Sequence, residues 1–278
     1  MMVEAFSPRK YMRDLKFPFC PGCGLFSVSD AFLRAVHELG YKDLSKFVFC
    51  SGIGCSSWVP SPYYIGDSLH TLHGRSIPVA TSVKLVRPDL NVVVFGGDGD
   101  IVGIGLGHFI HAARRNADVL VIMTNNMIYG MTGGQVAPTT PLRTKTTTTP
   151  YGSFEHPIDA ARLAAAAGAA YSARWTTAHP NDLRKSIKKA IQTKGFGFIE
   201  AVSQCPTAYG RRAGFKDIGE MLKWFKESAI AVEQSKKMSE KELEKRIVVG
   251  EFVQRSRPTL VETVYAMIEE AKAGAKQN

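Results

Sequence analysis

Apolar residues recur at helical spacing over Leu25–Leu39 and stop at Gly40, a residue suited to the left-handed turn that closes a helix. The next apolar run, Phe47–Cys50, is short and unbroken. It leads into Ser51-Gly52-Ile53-Gly54 and a Pro/Tyr-rich stretch as far as Gly66, which predicts a strand and then a long loop. Two more unbroken runs, Asn91–Phe95 and Val119–Thr124, end in Gly-Gly-Asp-Gly-Asp and in Asn-Asn. Apolar runs without polar alternation belong to strands buried on both faces, as in parallel sheets. Gly103–Arg115 can form a helix between them and so completes a β-α-β unit. Downstream the pattern predicts a helix over Ile158–Ala167, a strand over Tyr171–Thr176, a helix over Asn181–Thr193 opened by Pro180-Asn181-Asp182, and a strand over Phe196–Ser203.

Strand and helix thus alternate, and the expected fold is α/β, a doubly wound, mainly parallel sheet with helices on both faces. Ligand-bearing loops of such sheets lie at the C-terminal strand ends. Gly133–Gly152, dense in Thr, Pro and Gly, reads as a long irregular loop with a functional task. From about Ala208 the pattern turns charged and helical without clear strands and ends in an Ala/Lys-rich helix. Residues 1–207 are therefore expected to form one α/β domain, and 208–278 a helical tail packed on it or on a partner subunit.

Composition narrows the classes. Hydrophobic residues make up 45% and charged ones 22% of the 278 residues, with no apolar run long enough to span a bilayer. The N-terminal stretch lacks the apolar core of an export signal, so the cytoplasm is the expected location and no membrane partner is expected. The net charge of +10 is compatible with nucleic acid, acidic substrates or an acidic protein. Its basic residues are dispersed, and the concentrations at Arg184–Lys189 and Lys236–Arg246 read as solvated helix faces, so nucleic acid is not the expected partner. Five cysteines without an export signal point to thiolate chemistry or buried thiols rather than disulfides.

The most specific signal is Gly97-Asp98-Gly99-Asp100 at one strand end with Asn125-Asn126 at the end of the next. Mg²⁺ takes hard oxygen ligands, usually one or two side chains with phosphate oxygens and water. Asp98 and Asn126 can supply such oxygens, while the glycines let backbone approach a diphosphate and the helix at Gly103 offers it amide N–H groups. Either half alone would be read as a turn or a polar cap. Together they resemble the thiamine-diphosphate-dependent enzymes, whose signature is Gly-Asp-Gly followed by Asn or Asn-Asn. The resemblance implies Mg²⁺ ligation by Asp98, the Asn126 side chain and the Ile128 carbonyl, with Gly97, Gly99, Asp100, Gly130, Met131 and Thr132 around the cofactor.

Cys20-Pro-Gly-Cys23 is a turn able to aim two thiolates at one centre, and Cys55 and Cys205 follow strands whose ends can share that edge. Cys50, inside an apolar run, reads as a buried thiol. From spacing, structural zinc, an iron–sulfur cluster and a redox pair all stay open. The motifs Cys-Pro-Gly-Cys-Gly, Gly-Ile-Gly-Cys-Ser, His-Thr-Leu-His-Gly-Arg, Gly-Asp-Gly-Asp and Tyr-Gly-Met-Thr-Gly-Gly-Gln occur in that order. Over residues 18–212 this order resembles the β, thiamine-diphosphate-binding subunits of 2-oxoacid:ferredoxin oxidoreductases. The resemblance implies that Cys20, Cys23, Cys55 and Cys205 ligate a [4Fe–4S] cluster, with Ile53, Gly54 and Ser56 of the cofactor pocket beside it. It also implies CoA-dependent oxidative decarboxylation of a 2-oxo acid, with electrons passing through the cluster to ferredoxin.

His70 and His73 lie in a loop before a predicted helix; the resemblance favours His73 as a cofactor or substrate contact and the catalytic candidate. His108 and His111 read as packing and solvent-facing groups. No motif offers the Glu that thiamine enzymes place against the aminopyrimidine ring. In the family that group comes from an α-type subunit, so this chain is expected to work in a heteromer. The ending Cys-Pro-Thr-Ala-Tyr-Gly-Arg-Arg is similar to the 2-oxoglutarate branch, ahead of pyruvate or other 2-oxo acids. Arg143, Arg211 or Arg212 can bind a second carboxylate, although a surface or subunit-interface role accounts for them as readily; the Lys that some relatives carry in the Thr-x-Gly-Gln loop is Gly133 here. The competing readings are a non-redox thiamine-dependent decarboxylase or ligase with a structural metal, and a basic binding module without catalysis.

Overall fold

A computed structural model describes residues 5–275. After the N-terminal segment the chain runs through α1 (Leu25–Glu38), β1 (Phe47–Ser51), β2 (Asp67–His70), α2 (Ser76–Val86), β3 (Asn91–Gly97), α3 (Leu106–Arg114) and β4 (Leu120–Asn125). It continues with α4 (Ala160–Ala167), β5 (Tyr171–Thr176), α5 (Pro180–Gln192), β6 (Gly197–Val202), α6 (Ile218–Ser228) and β7 (Ala229–Ala231). The last elements are α7 (Val232–Ser235), α8 (Glu240–Leu243), β8 (Ile247–Gln254) and α9 (Leu260–Ala275). The strands form one eight-stranded sheet in the order β2-β1-β3-β4-β6-β5-β8-β7.

Pairing is parallel from β2 across to β5, and β8 joins β5 antiparallel. The unbroken apolar runs are explained by cover on both faces. On one face Phe47, Phe49, Phe95 and Ile122 pack against Phe32 of α1 and Leu183 and Ile187 of α5. On the other, Val48, Val94, Val121 and Met123 pack against Ile77 of α2, Phe109 of α3 and Ala160 and Ala164 of α4. Successive strand residues therefore alternate between two cores, and neither face needs polar residues. Cys50 belongs to the second core and is fully buried, which pushes its thiol up to about 12. The expected doubly wound α/β architecture is the one observed.

Three elements differ from expectation. Residues 67–70, read as part of a loop, form the exposed edge strand β2, held by parallel pairing with β1 rather than by an apolar pattern of its own. The helix expected over Gly103–Arg115 is divided: a π-helical turn over Gly99–Ile104 starts directly after Asp98, and α3 begins only at Leu106. Wide turns of this kind concentrate at functional sites because they re-aim backbone groups. The segment after residue 208, expected to be helical, also supplies β7 and β8. The three-residue strand β7 gains its register only from β8, so no local pattern could announce it.

A buried charge network ties this C-terminal strand to the centre. Arg174 on β5 donates from Nε to Glu200 Oε2 on β6 at 2.7 Å, pairs with Asp159 at the start of α4, and reaches the Val248 carbonyl on β8 at 3.3 Å. Glu200 Oε1 accepts a second bond, 2.7 Å, from Asn125 Nδ2. Burial works against the charge on Arg174, but the adjacent Glu200 and Asp159 carboxylates more than offset it and raise its pKa. Removing one partner of such a pair strands the other charge. Arg174→Ala is therefore expected to cost about 3–5 kcal/mol in urea unfolding, whereas the paired apolar replacement Arg174→Met with Glu200→Leu returns most of it. A loss under about 1 kcal/mol for the single variant would show the network to be dispensable.

Candidate functional site

Strand β1 lies between β2 and β3, so the loops leaving β1 and β3 diverge and open a crevice at their C-terminal ends. Gly52–Ser56 leaves β1, Asp98–Asp100 leaves β3 and Asn126–Thr132 leaves β4. Together they line a cavity of about 480 Å³. Its walls contain Ile53, Gly54, Cys55, Ser56, His73, Gly97, Asp98, Gly99, Asp100, Asn126, Ile128, Gly130, Met131 and Thr132, with Tyr129 in addition. All the residues that the sequence assigned to cofactor and Mg²⁺ thus meet in one place.

Asp98 and Asp100 are each 2% exposed. Burial pushes the Asp98 carboxyl up to about 7, although Thr139 and nearby amides favour the anion. Asp100 is also raised by burial, opposed by the Gly74 and Ile53 amides and by His73. Its Oδ1 accepts from Gly74 N at 2.7 Å and Ile53 N at 3.2 Å, and His73 Nδ1 lies 2.8 Å away. Asp100 therefore fastens the two loops that carry Ile53 and His73 to the end of β3. Close packing explains two glycines here. A Cβ on Gly52 would sit 2.2 Å from the Asp100 carboxylate, and one on Gly99 would sit 2.1 Å from the Tyr129 ring. The Tyr129 hydroxyl in turn donates to the Gly99 carbonyl at 3.2 Å.

The turn after β4 is held in an unusual shape. Met127 has φ +62, a left-handed conformation rarely adopted by a long side chain. Asn125 Oδ1 accepts from Met127 N at 3.0 Å and Asn126 Oδ1 from Ile128 N at 3.3 Å, so both Asn side chains brace the bend. The Thr-rich loop packs over it without regular structure, and threonine hydroxyls take the place of a ladder. Thr148 Oγ1 accepts from Val136 N at 3.0 Å, and Thr140 Oγ1 accepts from Ala137 N at 2.8 Å.

The four cysteines outside the core come together. Cys20, Cys23, Cys55 and Cys205 line a second cavity of about 670 Å³, with Pro18, Phe19, Leu25, Trp58 and Pro206 among its walls. The two cavities share Cys55, Asn126, Gly130 and Met131. No disulfide joins any of these thiols. Burial pushes Cys23 up to about 12 and Cys55 up to about 11, with repulsion from the neighbouring cysteines adding to it. Among the described residues no three His, Cys, Asp or Glu side chains converge closely enough to share a single ion. The thiols surround a space rather than a point.

Other predicted residues stand apart from this site. His70 lies on β2, with its Nδ1 3.2 Å from Ser51 Oγ; His111 is exposed and His108 partly buried on α3. Arg143, Arg211 and Arg212 are exposed and line neither cavity, Arg212 being spent partly on the Ala208 carbonyl at 2.9 Å. Tyr129, Thr139 and Thr140 were not singled out from sequence. Tyr129 lies within the same motif as Gly130, but the two threonines sit in a loop so rich in Thr that nothing local distinguishes them.

Fold and site define a class. Residues 52–201 match the family model of the thiamine pyrophosphate enzyme C-terminal TPP binding domain, a span that runs from the loop after β1 to the end of β6. The chain is 54% identical over 266 residues, 95% of its length and 98% of the relative's, to the 2-oxoglutarate synthase subunit KorB of Methanocaldococcus jannaschii. It is 44% identical over 190 residues, 68% of its length and 60% of the relative's, to subunit beta of the 2-oxoacid:ferredoxin oxidoreductase 2 of Aeropyrum pernix. Among solved structures, the 2-oxoglutarate:ferredoxin oxidoreductase from Magnetococcus marinus, with 2-oxoglutarate, coenzyme A and succinyl-CoA bound, matches with a TM-score of 0.85 at 35% identity. That match covers 97% of this chain and 92% of the other. The chain belongs to the β subunits of the 2-oxoacid:ferredoxin oxidoreductases.

The packing at Gly52 makes a structural prediction. Gly52→Ala is expected to drive the Asp100 carboxylate aside and free the Gly74 and Ile53 amides, read as faster hydrogen exchange at those two positions while amides in β4 and β6 keep their protection. Unchanged exchange at both would show that Asp100 does not anchor these loops.

Proposed function

We propose that this chain holds thiamine diphosphate through Mg²⁺ in the 480 Å³ cavity and a [4Fe–4S] cluster in the adjoining one, as the catalytic β subunit of an enzyme that converts 2-oxoglutarate and CoA to succinyl-CoA and CO₂ with ferredoxin as electron acceptor. The observation that carries the reading is the shared wall of the two cavities, formed by Cys55, Asn126, Gly130 and Met131. A site that removes electrons one at a time from a bound cofactor needs an acceptor next to it, and two adjoining cavities support that reading.

The donor sets fit. Asp98, whose anion is disfavoured by burial, is the kind of ligand a cation stabilises, and the Asn126 and Ile128 oxygens complete a hard-oxygen set suited to Mg²⁺. Thiolates around a single zinc ion sit at Zn–S distances of about 2.3 Å, whereas these four thiols line one cavity without converging on a single-ion site among the described residues, which favours a cluster. Burial keeps the Cys23 and Cys55 thiols protonated unless a metal centre takes the proton's place.

Thiamine diphosphate, when bound, supplies the carbanion chemistry that cleaves the bond to the carboxylate, and the cluster carries electrons away. The chain's own part is to bind, orient and exclude water. Asp100 positions His73 at the cavity wall, where its other ring nitrogen can meet a diphosphate or a developing oxyanion; Ile53, Gly54, Met131 and Thr132 line the same cavity. Among the described residues no Glu, Lys or Arg lines this cavity. Glu200, the nearest glutamate to Asn125, is committed to Arg174 and Asn125. In this reading the acid–base Glu and the cation for the distal carboxylate of 2-oxoglutarate are supplied by the α-type partner subunit, in an assembly that works in the cytoplasm.

The test is an anaerobic assay of the co-expressed heteromer with CoA, a viologen dye and a panel of 2-oxo acids. 2-Oxoglutarate is expected to give the highest kcat/KM, and pyruvate exceeding it would overturn the substrate assignment. Asp98→Ala is expected to abolish turnover while leaving iron content and visible absorbance intact, and Cys205→Ala to lose that absorbance. A colourless wild-type preparation containing zinc would instead favour a non-redox thiamine enzyme.

A further inference from the structure

We infer that Thr139 and Thr140 are positioning residues that hold the two halves of the Mg²⁺ site in register, one hydroxyl on each half; the inference rests on the cofactor reading above. Thr139 Oγ1 donates to Asp98 Oδ2 at the end of β3, and Thr140 Oγ1 donates to the Met127 carbonyl at 2.7 Å in the turn after β4. Both threonines are buried, Thr139 at 4% and Thr140 at 1% exposure. Both hydroxyls reach beyond the loop, although Thr140 Oγ1 also accepts from Ala137 N within it. Each is spent on a strand end next to a proposed ligand.

The arrangement has a specific consequence for each half. The Thr139 bond to Oδ2 of Asp98 restrains rotation of that carboxylate. On the other side, the Thr140 bond takes the Met127 carbonyl inside the left-handed bend that separates Asn126 from Ile128. Among the described residues no hydrogen bond reaches the Ile128 carbonyl. The clamp is itself anchored: Thr140 N donates to the Ala137 carbonyl at 3.0 Å, Thr140 Oγ1 accepts from Ala137 N at 2.8 Å, and Ile158 N donates to the Pro138 carbonyl at 2.8 Å. Successive residues of one loop thus span strand ends that are neighbours only in the folded sheet. Groups that orient ligands without touching the metal change affinity by about 10–100-fold when removed.

The experiment uses the co-expressed heteromer, stripped of Mg²⁺ and cofactor with chelator under anaerobic conditions. Thiamine diphosphate is held saturating for the wild type, and Mg²⁺ is titrated with cofactor uptake read by tryptophan fluorescence and by retained thiamine diphosphate. Thr139→Val is expected to raise the Mg²⁺ concentration for half-saturation by about 10–100-fold. Thr139→Ser, which keeps the hydroxyl, is expected to bring it back to within about threefold of wild type, with cluster absorbance unchanged in both variants. Thr139→Ala, which adds no bulk, carries the same expectation should the valine variant fail to assemble. An unchanged half-saturation in the hydroxyl-free variants, or a serine variant as impaired as they are, overturns the inference alone. A wild-type heteromer that takes up no thiamine diphosphate with Mg²⁺ overturns the reading of the site and the inference with it.

Discussion

Everything at the functional end of this molecule depends on burying two carboxylates, Asp98 and Asp100, at the C-terminal end of one central strand. A buried carboxylate without partners is costly, and the surrounding structure is arranged around that cost. Asp100 draws in the loop after β1 and the loop after β2 through backbone amides and His73. Asp98 draws in the Thr-rich loop after β4 through Thr139, and its burial pushes the carboxyl up to about 7. Four chain segments remote in sequence are thus pulled to one crevice by the hydrogen-bonding demand of two neighbouring acids.

The same edge gathers the thiols. Cys55 follows β1, Cys205 follows β6, and Cys20 and Cys23 precede α1, so the position of the second cavity follows from the parallel sheet that brings those ends to one side. The pocket that results is chemically one-sided: it offers oxygens, backbone and thiols but no Glu, Lys or Arg in the first cavity. The chain's membership in a family of β subunits sets that pocket within a larger enzyme.

Much of this was legible beforehand because strong local patterns coincide with strong physical demands. Strands buried on both faces must be continuously apolar, so β3, β4 and β6 were readable; α1, α4 and α5 were readable from helical spacing. Asp98, Asn126 and the four cysteines carry chemistry that few other residues supply, and their motifs stand out. What stayed hidden has little local signature. The edge strand β2 is wholly exposed, β7 is three residues long, and β8 is set among charged residues that mimic a helical tail. Arg143, Arg211 and Arg212 have the right charge for a carboxylate and the wrong location for this cavity.

The sequence by itself determined the alternation of elements, the candidate oxygen and sulfur donors, and the lack of a glutamate in the motifs that carry them, since each is a property of residue type and short-range spacing. Only the tertiary structure decided that the donors share a wall at Cys55, Asn126, Gly130 and Met131, that Glu200 is committed to Arg174, and that Thr139 and Thr140 bridge two strand ends. Those are contacts between segments tens of residues apart, and their partners are chosen by sheet order and loop closure, which no local pattern encodes.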